Sequence, residues 1–153
     1  MDHFTANDEP ALDPATLQEK LAAVLKTNDR GSHTSPANLY PHQWLWDSAF
    51  IAIGLRHIDP ERAAEEIANL VTGQWANGMI PHMIFSKGRE YRFERDAWRS
   101  WLSPFAPDSV ATTGITQPPV LADAVVKVGE KLPPDYRREF YRWYQSGFFQ
   151  SSV

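Results

Sequence analysis

The stretch LYPHQWLWDSAFIAIGL, Leu39 to Leu55, carries a single formal charge, Asp47, among aromatic and aliphatic residues. Its apolar residues Ala49, Phe50, Ile51, Ala52, Ile53 and Leu55 run round most of a helical circumference. That pattern predicts a helix from about Trp46 to His57, enclosed on all sides. An ionised carboxylate in such surroundings needs a reason: burying it alone costs several kcal/mol, roughly, so Asp47 pairs inside the protein or faces a polar cavity or ligand. A plain helix cap is the ordinary alternative. Trp44 and Trp46 flank it.

Working outward, Leu17, Leu21, Val24 and Leu25 repeat at helical spacing, which predicts a helix from Pro14 to about Asn28-Asp29 with one buried face. Residues 1–13 lack periodicity and are expected to be a disordered start. Asp59-Pro60-Glu61 supplies an N-cap, a proline at the first helical position and an acid in the first turn. Ala63, Ala64, Ile67, Leu70 and Val71 then form one stripe. Gln117-Pro118-Pro119 leads into a helix apolar all round, Val120 to Val128. Pro133-Pro134 opens another, with Tyr136, Phe140, Trp143 and Tyr144 on one side. Striped and all-apolar helices thus alternate, as when an outer ring of helices packs around an inner ring. The fold class expected is all-α, an α/α toroid or barrel, with an ordinary helical bundle as the alternative. No sequence period recurs to indicate a solenoid.

Residues 73–116 are too long and aperiodic for a simple connection. Met79 to Phe85 reads as a short strand or extended segment, and Arg95 to Leu102 as a short helix around Trp98 and Trp101. Loops of this length on a rigid scaffold form sites or lids, or are poorly ordered insertions.

The 153 residues suit one core. Hydrophobic residues make up 42% and charged residues 22%, which is ordinary globular usage. A net charge of −4 without a basic stripe argues against nucleic acid or an anionic membrane as partner. The absence of cysteine removes disulfides, thiolate metal sites and cysteine nucleophiles. There is no apolar leader at the N-terminus and no membrane-length apolar run, so a cytoplasmic location is expected.

Tyr40, Trp44, Trp46 and Trp75 lie near Gln43, Asp47, Gln74, Asn77 and Gln117. Aromatic faces stack on the C–H faces of sugars while carboxylates and amides bond vicinal hydroxyls, so the mixture suits a carbohydrate; the ordinary alternative is that these rings are core. His42, His57 and His82 lack metal-ligand spacing, and neither a metal nor a cofactor is expected. Arg89, Arg92, Arg95 and Arg99 could receive a carboxylate, but the interleaved Glu90, Glu94 and Asp96 point to a solvated, self-paired face. No phosphate loop and no serine elbow is present.

Three motifs carry a resemblance: LYPHQWLWDSAFIAIGLRHIDPERA (Leu39 to Ala64), GQWANGMIPHMIF (Gly73 to Phe85) and GITQPPVLA (Gly114 to Ala122). With TNDRGSHTSP before them, they resemble the opening of the mannosylglycerate and glucosylglycerate hydrolases of glycoside hydrolase family 63. The resemblance implies a partial (α/α)6 barrel of the six-hairpin glycosidase type, its N-terminal part only, over residues 14–131. Residues 132–153 would be a last helix and a divergent tail. It also implies hydrolysis of an α-glycosidic bond with inversion, on a small glucoside or mannoside. Tyr40, Trp44, Asp47 and Gln117 would bind the sugar, with Trp46 and His82 lining or supporting the subsite. By the same resemblance the general acid and base lie in later motifs, so no catalytic residue is expected in this chain. Inner helices deprived of neighbours would then favour self-association. A non-catalytic carbohydrate-binding fragment and a helical interaction module are the competing readings.

Overall fold

Asp13 opens the first described helix: its carboxylate accepts the backbone N–H groups of Ala15 and Thr16, and Pro14 needs no partner for a nitrogen that has no hydrogen. A computed structural model describes residues 13–37, 39–86, 92–135, 137, 138 and 141. Its elements are α1 (Pro14–Thr27), β1 (Gln43–Trp44), α2 (Leu45–Leu55), α3 (Pro60–Val71), β2 (Met83–Ile84), α4 (Arg92–Trp98), a 3₁₀ helix (Ser100–Leu102) and α5 (Leu121–Gly129). The helices anticipated at 14–29, 46–57, from 59 and at 120–128 start and stop within a few residues of these bounds, whereas the single short helix expected from Arg95 to Leu102 is instead α4 followed by the 3₁₀ helix. Tyr136, Phe140, Trp143 and Tyr144 fall outside the described residues, as do residues 1–12.

The fold is mainly helical but not wholly so. Gln43 pairs with Ile84 and Trp44 with Met83 in a two-stranded antiparallel sheet. Residues 111–115 run along the other edge of β2: Phe85 N–H donates to Ala111 O, Thr113 N–H to Met83 O, and His82 N–H to Ile115 O. The all-α expectation is corrected to this extent. A short strand of one long loop and a pre-helical dipeptide are each too brief for alternation to reveal.

Asp59 caps α3 by accepting Arg62 N–H, and Ala63, Ala64, Ile67, Leu70 and Val71 form the buried stripe that the sequence anticipates. This stripe packs on α2, which also packs on α5. Alanines at the centre, Ala49, Ala52, Ala63, Ala64 and Ala124, are essentially without exposure and let the three helices approach closely.

Expectations about the faces of three helices fail. Leu45, Ser48, Ala49, Ala52 and Leu55 form the buried side of α2, but Trp46 and Phe50 are 41% and 50% exposed, so the helix is not enclosed. In α5, likewise, Val126 faces solvent while Leu121, Ala124, Val125 and Val128 are buried. α1 departs further: none of its residues is buried, Leu17, Leu21 and Val24 are exposed, and only Leu25 packs against the core. Apolar spacing specifies which residues share a face; whether the face is covered depends on what else is present to cover it.

Beneath this core lies an acid. Glu66, on α3, has no exposed surface; its carboxylate accepts from Thr34 N–H (2.7 Å), Ser48 Oγ (2.6 Å) and Gln43 Nε2 (3.3 Å) and forms an ion pair with Arg62 (3.3 Å). Gln43 also donates to Glu66 O and accepts from Asn69. One side chain thereby ties α3 to the 28–35 loop, to β1 and to α2.

Candidate functional site

β1 runs into α2 without a loop, so the pairing of Trp44 with Met83 also sets the direction of the helix. Trp44 occupies the N-cap position and offers no side-chain acceptor to the helix. The first amide groups are satisfied from elsewhere: Leu45 N–H donates to His82 O at 3.0 Å, and Trp46 N–H to Gln117 Oε1 at 2.9 Å. Gln117 therefore acts as a long-range cap, a structural duty in addition to any ligand contact.

Around this turn the rings form a chain. Tyr40 meets Trp44 edge-on at 6.2 Å, Trp44 meets His82 at 4.9 Å and 74°, and His82 meets Trp98 at 6.0 Å. Trp46 lies against Phe50 at 5.9 Å on the open side of α2. Thr113 Oγ1 accepts Met83 N–H and lies 2.8 Å from His82 Nδ1, fixing the imidazole. Burial lowers the His82 pKa below its ordinary 6.5, so the ring is neutral at pH 7. The indole Nε1–H of Trp44 is sealed from solvent and meets no acceptor among the described residues.

Asp47 sits in the first turn of α2, half-buried. Among the described residues no other residue gives its carboxylate a hydrogen bond or an ion pair. Desolvation raises its pKa above the ordinary 3.8. The arrangement offers flat apolar rings, one acceptor carboxylate and the amide nitrogen of Gln117, a set that can bind vicinal hydroxyls beside C–H faces.

Tyr40, Trp44, Trp46, Asp47, His82 and Gln117 are thus gathered about one helix terminus. Other residues considered from the sequence have duties inside the fold. Trp75 is buried and donates to Thr112 Oγ1 at 2.9 Å; Gln43 serves Glu66; Gln74 donates to Gly78 O; Asn77 accepts Met79 N–H. His42 is buried and bonded to Glu94. Arg89 lies outside the described residues, and no described carboxylate meets the guanidinium of Arg95. A cavity of about 260 Å³ opens by Arg95, Ser100, Trp101, Asp108 and Thr112, and none of the six residues lines it. That concavity lacks both the aromatic chain and Asp47.

Trp98 and Thr113 also meet this cluster, both through His82, and neither was expected there from the sequence. The sequence assigns Trp98 to a helix of its own, and only the fold brings it to His82.

The profile of the mannosylglycerate hydrolase MGH1-like glycoside hydrolase domain matches residues 40–145. The chain belongs to this glycoside hydrolase family. Within the family, it is 45% identical over 125 residues to the glucosylglycerate hydrolase of Mycolicibacterium hassiacum, covering 80% of this chain and 28% of that protein. It is 47% identical over 117 residues to the mannosylglycerate hydrolase of Thermus thermophilus, covering 74% and 27%. Among solved structures, a family 63 mannosylglycerate hydrolase of Thermus thermophilus, in complex with Tris and D-glycerate, superposes with a TM-score of 0.73 at 43% identity, covering 86% of this chain and 31% of that one. This member of the family thus spans under a third of the length of the relatives it matches.

Proposed function

We propose that this chain supplies the sugar-binding part of an inverting α-glycosidase that hydrolyses a small glucoside or mannoside such as glucosylglycerate or mannosylglycerate. The observation that carries the reading is the unpartnered carboxylate of Asp47 among the rings of Tyr40, Trp44, Trp46 and His82. A ligand hydroxyl donating to that carboxylate supplies the hydrogen bond that the fold withholds. Family membership and relatives named for glycosylglycerate hydrolysis support the substrate class. In this reading α2 and α5 are inner helices of a partial (α/α)6 barrel, residues 14–131 its N-terminal part, and the setting is the reducing cytoplasm that a cysteine-free chain tolerates.

Inversion requires an acid and a base about 6.5–9.5 Å apart across the scissile bond. Glu66 cannot serve, because it is sealed and its oxygens are occupied by protein donors. Asp47 has no acidic counterpart among the residues gathered at the site. The catalytic pair therefore belongs, in this reading, to the other two thirds of a family-length chain, and the 153 residues bind without turnover. Titration calorimetry with glucosylglycerate and mannosylglycerate tests this: binding in the millimolar range is expected, weakened at least tenfold by Asp47→Ala. No binding to the unaltered chain would sink the proposal. Hydrolysis by this chain, abolished by Asp47→Ala, would overturn the assignment of acid and base.

A further inference from the structure

α4 has seven residues, far below the ~12–15 at which a helix holds together in water by itself, and Phe93 on it is 84% exposed. Its position must come from attachments to the body. Glu94 and Trp98, one helical turn apart and so on the same face, supply two. Glu94 Oε2 lies 2.5 Å from His42 Nε2, and the ring of Trp98 lies 6.0 Å from that of His82.

The His42 end of the first attachment is rigid. The residue is buried, its Nδ1 accepts Ser86 N–H at 3.1 Å, and Phe85 packs edge-on at 5.2 Å. With Nδ1 occupied as an acceptor, the ring hydrogen sits on Nε2 and donates to the carboxylate. Ser86 is itself anchored, its hydroxyl donating to Pro41 O. The Glu94 end is half open to solvent, so the bond joins a fixed imidazole to a short surface helix.

We propose that the Glu94–His42 bond holds Trp98 against His82 and makes Trp98 a wall of the sugar-binding site, with Glu94 a positioning residue and Trp98 a selector of ligand shape. This rests on the sugar-binding reading given above. A hydrogen bond to a carboxylate shifts a docked-to-undocked ratio by about 10- to 100-fold, enough to decide where a seven-residue helix resides.

The test uses the 153-residue chain and five variants: Glu94→Ala, Glu94→Gln, Trp98→Phe, Glu94→Ala with Trp98→Phe, and Glu94→Gln with Trp98→Phe. Acrylamide quenching, taken as the difference between partners with and without Trp98, isolates that ring. Glu94→Ala is expected to raise the quenching of Trp98 about twofold. Glu94→Gln, whose amide oxygen still accepts from Nε2–H, is expected to restore it. In calorimetric titration with glucosylglycerate, Glu94→Ala is expected to weaken binding about 5- to 10-fold and Glu94→Gln to leave it near the unaltered value. Unchanged Trp98 quenching in Glu94→Ala would overturn the positioning role whatever the titration gives. Quenching that moves as expected, in a chain that binds no glycoside even when unaltered, would overturn the selector role and the sugar-binding reading, and leave the tie from Glu94 to α4 standing.

Discussion

Glu66 falls on the apolar stripe of α3, after Ala63 and before Leu70, where an ionisable side chain is costly unless donors meet it. The three donors it meets, with the Arg62 cation, come from residues between 34 and 62, which no periodicity brings together. Its stripe position was nevertheless a signal in the sequence, because a solvated glutamate belongs on the opposite face. Burial, opposed by the hydrogen bonds from Ser48, Thr34 and Gln43 and by the charge of Arg62, raises its pKa above the ordinary 4.5. The folded state then holds the proton more tightly than the unfolded state. The stability this gives is fully present below pH 4.5 and is lost as pH rises through the folded pKa. We expect the stability of the unaltered chain minus that of Glu66→Gln to fall as the pH of urea titrations is raised from acid to neutral; a flat or rising difference would contradict the direction. Asp47 was legible in a different way: its isolation among apolar neighbours marked it from the sequence alone, and in the fold no other described residue partners it.

Among elements, β2 and the end of α3 meet at Gly73. A Cβ on Gly73 would come within 2.7 Å of Ile84 Cδ1, 2.8 Å of Ile84 Cγ1 and 3.2 Å of Pro81 Cγ. Ile84 is buried and pairs with Gln43, so yielding there disturbs the strand that leads into α2. Gly73→Ala is expected to destabilise by about 1–3 kcal/mol, read as a lower urea midpoint at unchanged slope. The stripes of α2, α3 and α5 were legible because helical spacing repeats over several turns. β1 and β2 were not, since two-residue strands leave no pattern, and the Met79–Phe85 run showed only that something extended lay there. α1 shows the limit most plainly: its spacing marks a true face, and yet nothing in that spacing tells that the face is uncovered.

At the scale of the molecule, the uncovered residues have a common character. Leu17, Leu21 and Val24 on α1, and Trp46 and Phe50 on α2, expose large apolar side chains in a chain spanning under a third of its relatives' length. We expect the isolated chain to self-associate, eluting in size-exclusion chromatography ahead of a 17.4 kDa monomer and increasingly so with concentration. A sharp monomer peak at every concentration would refute this. Family membership was readable from three motifs in order. The open faces were not, because exposure depends on the rest of the molecule and not on the residues that bear it.

The bond from Trp46 N–H to Gln117 spans 71 positions of the chain. During translation at ~5–20 residues per second, roughly 4–14 seconds separate the emergence of the helix start from that of the amide that caps it. Through that interval α2 has its apolar side but not its cap, and the turn that bears Asp47 waits for its last partner. Synthesis order thus sets a lower bound on when this helix start can be completed: after Gln117 has left the ribosome, and no earlier.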